Sequence, residues 1–176
     1  INAVLMKGFN DDEIIDFINL TKDLPISFRF IEFMPFDGNK WDLKKMVSLA
    51  EILKKVTSHF SNENVEKIKD AENDTSKNYK IKGFKGSFAI ISSVTNPFCD
   101  TCNRLRLTAD GKLKNCLFSA SEADLLSSLR EGKFIAPIIQ RAIQHKFKIR
   151  GGMDTLEKLQ NPDLHSQNRS MISIGG

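Results

Sequence analysis

All three cysteines of this 176-residue chain, Cys99, Cys102 and Cys116, lie in one stretch, residues 96–118, which reads NPFCDTCNRLRLTADGKLKNCLF. The first two form a C-x2-C pair, a spacing that lets two thiolates from one tight turn hold a single metal centre. The run Arg104-Leu105-Arg106-Leu107-Thr108 alternates polar and apolar residues, the pattern of a half-buried strand. Ala109-Asp110-Gly111-Lys112 then reads as a two-residue Asp-Gly hairpin turn. A return strand over residues 113–118 carries Cys116 back beside the first pair, so the stretch predicts a cysteine hairpin for which the remaining chain is scaffold. Leu105 and Leu107 are expected to anchor that hairpin in the core, with Arg104 and Arg106 sharing the opposite face. Lys112 and Lys114, close to the turn, read as solvent-facing.

Thiolates are soft ligands, and three of them select zinc, copper(I) or an iron–sulfur cluster. A closed zinc site takes a fourth Cys or His. No fourth cysteine exists, and His59, His145 and His165 are distant in sequence and read as packed or surface histidines. A 4Fe-4S cluster is commonly held by four cysteines, so three leave one iron without a protein thiolate. The residue types alone leave iron–sulfur, zinc and merely buried thiols open. Two guanidiniums directly after Cys102 form a fork suited to phosphate or carboxylate oxygens, against which stands an ordinary solvated pair. The odd cysteine count argues against a disulfide framework and for a reducing compartment.

Upstream, residues 2–6 are strand-like. Asp11 and Asp12 favour a helix N-terminus whose apolar face is Ile14, Ile15, Phe17 and Ile18, ended by Pro25. A second strand over residues 26–33 completes a βαβ unit, which predicts a parallel sheet buried on both faces, with Lys7, Arg29 and Glu32 at or near a working rim. Ser48-Leu49-Ala50-Glu51 has the form of a capping box and opens a helix to about His59. Residues 61–78 are polar and read as a mobile surface excursion. Strands over residues 79–82 and 87–94 lead into the cysteines, and helices over residues 122–130 and 134–148 follow them.

The net charge of +4 is spread over runs such as Lys44-Lys45 and Lys54-Lys55 with no interleaved aromatics, a solvated face rather than a nucleic-acid surface. No apolar run is long enough to span a bilayer, and the N-terminus has neither a signal-peptide nor a transit-peptide pattern. Ile1 enters a strand directly, so a preceding part, with any targeting segment, is expected.

Cys99-x2-Cys102-Asn103-Arg104-Leu105-Arg106-Leu107-Thr108, the Asp110-Gly111 turn, Cys116-Leu117-Phe118, the upstream Arg29-Phe30-Ile31-Glu32-Phe33-Met34-Pro35-Phe36 and the terminal Gly175-Gly176 together resemble the molybdenum cofactor biosynthesis protein A family. Its members are radical S-adenosylmethionine enzymes, GTP 3′,8-cyclases. The resemblance runs over essentially the whole chain, and Phe-Asp-Gly-Asn-Lys-Trp at residues 36–41 looks like the eukaryotic members. It implies an α/β fold: the C-terminal part of an incomplete radical-SAM TIM-type barrel, followed by an α+β domain carrying the cysteine hairpin. Residues 1–36 would be the last βαβ unit of the barrel, residues 37–150 the iron–sulfur and GTP-binding domain, and residues 151–176 a tail ending in Gly-Gly.

By the same resemblance, Cys99, Cys102 and Cys116 hold a 4Fe-4S cluster whose open iron binds the guanine of GTP. Arg104 and Arg106 contact the nucleotide, Arg29 occupies a further basic position for GTP or S-adenosylmethionine, and Gly175 and Gly176 reach into the active site. The family's C-x3-C-x2-C motif, which holds a second 4Fe-4S cluster and S-adenosylmethionine, does not occur in these residues, so the chain is expected to be inactive alone. The implied reaction is the first step of molybdenum cofactor biosynthesis, with the product 3′,8-cyclo-7,8-dihydro-GTP passed to cyclic pyranopterin monophosphate synthase. A reducing electron donor and a second copy of the chain are further candidate partners. The resemblance places eukaryotic members in the mitochondrial matrix and bacterial ones in the cytoplasm. The alternatives are a zinc-stabilised binding domain with an arginine anion site, and a ubiquitin-like conjugation tail, which the length and helix-rich order disfavour.

Overall fold

A computed structural model describes residues 1–165 and 167–170, and divides the chain into two compact units. The first comprises Ile1–Met34 and Asp42–Thr101; the second comprises Pro35–Trp41 and the described residues from Cys102 onward.

In the first unit, β1 (Asn2–Leu5), α1 (Ile14–Asp23) and β2 (Ser27–Glu32) form the expected βαβ unit, with β1 and β2 parallel and Ala3 opposite Phe30. After α2 (Leu49–Phe60) and the strands β3 (Val65–Lys67) and β4 (Lys77–Ile81), β5 (Ser87–Ile91) runs parallel to β2, with Phe28 opposite Phe88. The sheet order is β1-β2-β5-β4-β3, and β5-β4-β3 pair antiparallel. The sheet is therefore mixed, and the fold is α/β in that coarse sense.

The amphipathic spacing explains the core. Ile14 and Ile18 of α1 and Ile52 and Val56 of α2 are fully buried against Phe28, Phe30, Phe88 and Ile90. Phe17 stacks on Phe28 at 4.8 Å and Tyr79 on Phe88 at 5.4 Å. Each fully buried phenylalanine contributes about 1.5–3 kcal/mol. Burial on both sheet faces holds at β5, where Phe88, Ala89 and Ile90 are all buried in succession. It does not hold at β1 and β2, where Val4 is 43% exposed and Arg29 is exposed. There only alternate residues enter the core, because a charged Arg29 keeps its head in water.

The polar stretch over residues 61–78 is more regular than a mobile excursion. It contains β3, and its acidic side chains build a turn: the Asn78 amide N–H donates to Asp70 at 2.9 Å, Asn78 Nδ2 to Asp74 at 2.8 Å and the Ser76 amide to Asp74 at 3.1 Å. Asp and Asn side chains satisfy backbone groups in this way without any apolar periodicity to betray it.

The second unit is built on the hairpin. β6 (Arg106–Leu107), β7 (Lys112–Lys114) and β8 (Ala123–Asp124) form an antiparallel sheet in that order. The closing pair is Thr108 and Lys112, whose backbone bond is 2.8 Å, so the loop holds three residues rather than two. Gly111 supplies the left-handed residue at φ 77°, as a three-residue loop requires. The Thr108 hydroxyl donates to Asp110 at 2.6 Å and accepts the Lys112 N–H at 2.9 Å, which pulls Thr108 into the loop closure.

Three helices then carry the chain on: α3 (Leu126–Arg130), α4 (Ala136–Gln144) and, farther along, α5 (Leu156–Gln160), followed by the single turn α6 (Pro162–His165). A left-handed Gly151, φ 62°, lets the backbone pass the hairpin closely; a Cβ there would lie 2.7 Å from the Ser119 nitrogen.

Candidate functional site

An antiparallel hairpin forms at the Asp-Gly signal, but its register is overturned. Leu105 and Leu107 are 42% and 65% exposed, whereas Thr108 is buried and Arg106 half-buried. Side chains of a strand alternate, so a one-residue displacement sends the leucines outward and brings Arg106 and Thr108 inward. Arg104 is exposed and precedes β6. The return strand ends at Lys114, and Cys116 follows it in a turn closed by the Ser119 N–H on the Cys116 carbonyl at 3.2 Å.

Lys114 corrects the expectation of a solvent-facing lysine. It is 1% exposed and donates to the Ser119 carbonyl at 2.7 Å and to Asn168 Oδ1 at 2.8 Å, with Glu122 at 3.6 Å. Burial pushes its pKa down, and the Glu122 carboxylate works against that. Leu113, Lys114 and Asn115 are buried in succession, so both faces are covered here and simple alternation does not apply.

Asn168, itself fully buried, also donates through Nδ2 to the Leu117 carbonyl at 3.1 Å, and its own carbonyl accepts the Asp37 N–H at 3.0 Å. One buried residue, through its side-chain amide and its backbone carbonyl, thus ties both flanks of Cys116, Lys114 and Leu117, to the loop that carries Trp41. Arg169, next in sequence, pairs with Glu122 at 2.9 Å and Asp110 at 3.1 Å, fastening the same segment to the hairpin turn.

None of the three cysteines is in a disulfide. Cys99 begins the single 3₁₀ turn Cys99–Thr101 of the first unit, and Cys102 and Cys116 belong to the second. Among the described residues, no three His, Cys, Asp or Glu side chains stand together as a metal-holding group. Cys102 nevertheless has the chemistry of a ligand. Burial would raise its pKa, but the Arg104 backbone N–H and the Lys146 ammonium outweigh it and move the thiol toward thiolate. Lys146 Nζ lies 3.4 Å from Cys102 Sγ. A thiol whose pKa is lowered by a neighbouring cation gives up its proton more readily to a soft metal, so the sulfur at this position fits one. Lys146 and Asn168 carry no motif, and only the fold reveals them.

In the first unit, Glu32 ends β2 and is fully buried rather than set on an open rim. Its carboxylate accepts the N–H groups of Val94 at 2.8 Å, Thr95 at 2.9 Å and Leu49 at 3.1 Å, and the Thr95 hydroxyl. It thereby fixes the start of α2 and the segment that leads to Cys99. Lys7 is paired with Glu51 at 2.6 Å, and Arg29 lies exposed in the middle of β2, opposite Ala89. His165 is buried edge-on to Trp41 at 5.9 Å, and burial pushes its pKa down. Gly175 and Gly176 lie outside the described residues.

With this geometry in place, comparison with known proteins decides the family. The profile of molybdenum cofactor synthesis C matches residues 26–151. The chain belongs to the molybdenum cofactor synthesis C family. Relatives are correspondingly similar. A mitochondrial GTP 3′,8-cyclase of Arabidopsis thaliana is 46% identical over 179 residues, covering 100% of the chain and 44% of the relative. Molybdenum cofactor biosynthesis protein 1 of Mus musculus is 44% identical over 178 residues, covering 99% and 27%. A GTP 3′,8-cyclase of Peptoclostridium acidaminophilum is 47% identical over 149 residues, covering 83% and 44%. The chain therefore spans less than half the length of these curated relatives. The family match includes β2, the whole of the first unit beyond it and the β6–β7 hairpin of the second, so the ties made by Glu32 fall within it, as do those of Lys114 to Ser119 and Glu122 but not to Asn168.

Proposed function

We propose that this chain is the nucleotide-holding part of a GTP 3′,8-cyclase acting in the first step of molybdenum cofactor synthesis. The observation that carries the reading is the similarity of 46–47% to relatives bearing that name, one from a plant mitochondrion and one from a bacterium. Residues 1–36 are read as the last βαβ unit of a radical-SAM barrel, residues 37–150 as the cluster and GTP domain, and residues 151–176 as a tail whose Gly175 and Gly176 reach the active site. The compartment follows the source, mitochondrial for a eukaryotic and cytoplasmic for a bacterial one. No helix among the described residues is long and apolar enough to cross a membrane.

Cys99, Cys102 and Cys116 would hold a 4Fe-4S cluster, which supplies an iron free of protein thiolate as a seat for the guanine base. The sequence spacing and the lowered pKa of the Cys102 thiol support this. The chain's own contribution is placement. Arg104 and Arg106 offer paired donors to phosphate oxygens, with Arg29 a third basic group for GTP or S-adenosylmethionine. Holding the ribose so that C3′ and C8 can be joined is an orientation effect, worth several orders of magnitude in rate when the geometry is right. The radical that begins the reaction would be generated from S-adenosylmethionine at a second cluster held by residues outside this chain, with an electron donor supplying the reduction. The product would pass to cyclic pyranopterin monophosphate synthase.

The test is a contrast between two variants of the complete enzyme, purified and reconstituted anaerobically. Cys116→Ser is expected to lose iron and GTP affinity together. Arg104→Ala is expected to keep the iron and weaken GTP by roughly 1.5–3 kcal/mol, the cost of one charge-assisted contact. Retention of full GTP affinity in an iron-free Cys116→Ser protein sinks the reading. A colourless parent with one tightly held zinc would instead favour the zinc-stabilised domain with an arginine anion site, to which three cysteines outside any disulfide also lend themselves.

A further inference from the structure

Lys146 follows the C-terminal end of α4, and its ammonium makes three contacts within the second unit: the Cys102 carbonyl at 3.0 Å, the Arg104 carbonyl at 3.0 Å and Cys102 Sγ at 3.4 Å. An ammonium carries three N–H groups and no acceptor, so these contacts engage its whole donor set. The two carbonyls flank Asn103, and gathering both onto one nitrogen curls that peptide around the cation. The base from which Lys146 reaches is itself fixed. Asn115, adjacent to Cys116 and 4% exposed, donates through Nδ2 to the Ala142 carbonyl of α4 at 2.8 Å, and the Lys146 N–H closes the helix end on the Ile143 carbonyl at 3.0 Å. One helix end is thus tied to the neighbours of both Cys102 and Cys116.

We propose that Lys146 is a positioning residue that locks the Cys102 ligand and Arg104 into one register, so that the cluster and the nucleotide-facing guanidinium act as a single grip. The proposal rests on the function proposed above and adds to it a group outside the cysteine stretch that couples its two halves. Without the ammonium, the two carbonyls turn to water independently, and only Arg104's own hydrogen bonds to the sulfur two residues before it are left to set their relation. The N–H directed at Cys102 Sγ has a second consequence. Hydrogen bonds to cluster sulfurs stabilise the reduced, more negative state, so removing this one makes a cluster bound there harder to reduce. A tie that served only to hold the loop together would have no such signature.

The experiment compares Lys146→Met, which keeps the stem and deletes the donors, and Lys146→Arg, which keeps charge and donors, with the parent, all as the complete enzyme reconstituted anaerobically. Iron content, the one-electron reduction of the GTP-responsive cluster followed by electron paramagnetic resonance during titration with dithionite, and GTP affinity by equilibrium dialysis are read for each. Lys146→Met is expected to retain its iron, to lose roughly tenfold in GTP affinity and to fall roughly tenfold in the reduction equilibrium, about 59 mV for one electron. Lys146→Arg restores most of both. Should Lys146→Met fail to fold, Lys146→Gln, which keeps one amide donor group, serves the same comparison. A folded Met or Gln variant that matches the parent in reduction and in GTP affinity overturns the role, whatever its thermal stability. A parent that binds no iron at the three cysteines overturns the proposed function itself, and this role with it.

Discussion

The two units each bury a charge, and they do so in opposite ways. Glu32 closes the apolar core of the first unit, and its carboxylate is satisfied by four neutral donors, three of them backbone N–H groups. Lys114 lies at the centre of the second unit, where it meets two neutral oxygens and, farther off, the Glu122 carboxylate. The core of the first unit is Phe28, Phe30, Phe88, Ile52 and their neighbours. The second unit has no comparable apolar cluster among the described residues, and neither α3 nor α4 has a buried residue. The first unit is a hydrophobic body with one ionic knot that aims its loops. The second is a polar lattice in which ionic and amide bonds replace much of the core. A cysteine site needs backbone held in a fixed place rather than a large apolar interior, and such a lattice provides it.

The largest effect is expected where the knot is broken. Glu32→Ala strands three N–H groups at once, that of Val94 buried and those of Thr95 and Leu49 partly so, together with a hydroxyl, and a buried donor without a partner costs about 1–3 kcal/mol. Partial hydration of the cavity reduces the sum, so a loss of roughly 4 kcal/mol is expected in denaturant unfolding. A loss below about 2 kcal/mol would mean that other acceptors replace the carboxylate and that the knot is dispensable. Lys114→Met comes next. It leaves the Ser119 carbonyl and Asn168 Oδ1 without their donor but puts an apolar chain of similar length in a buried slot, and Arg169 continues to neutralise Glu122. About 2–3 kcal/mol is expected from the stranded acceptors. A variant as stable as the parent would show that the lattice behaves like those buried ionic groups that hydrophobic residues replace without loss.

The sequence discloses these two regions unequally. The first unit is legible because its helices and strands carry strong periodicity: Ile14, Ile18, Ile52 and Val56 mark their faces directly, and Ser48 with Glu51 announces the helix start, which the capping bonds bear out. β3 is missed because three residues amid Asn, Asp and Lys show no period, and their pairing depends on β4. In the second unit the Asp-Gly signal locates the hairpin, yet Leu105 and Leu107 suggest the wrong face. Two-residue strands do not establish which phase of an alternation points inward; the Thr108 hydroxyl, closing the loop, sets that phase instead. Lys114, Lys146 and Asn168 are invisible for a common reason. Each acts through contacts with residues far along the chain, and nothing local distinguishes a lysine that will be buried from one that will be solvated.

The smallest effect tests whether burial, rather than bond count, separates Glu32 from ordinary polar contacts. The start of α2 receives two kinds of support: Glu32 accepts the Leu49 N–H from inside, and Ser48 Oγ accepts the Glu51 N–H at the surface, 3.3 Å away. Ser48→Ala removes only the exposed half, and loss of an N-cap costs about 1 kcal/mol. The same substitution has a pH signature. Burial alone would raise the Glu51 carboxyl, but Lys7 and the Ser48 amide and hydroxyl hold it down to about 2. A carboxyl depressed in the folded state adds stability that is complete above its unfolded value, near 4.5, and that drains away as pH falls toward 2. Without the Ser48 hydroxyl the depression is smaller, so the stability difference between parent and variant should be steady at neutral pH and narrow through that acid window. Denaturant midpoints measured from pH 7 to pH 2 check it. If Ser48→Ala costs as much as Glu32→Ala, the contrast between exposed and buried support fails, and the helix start is governed by its cap alone.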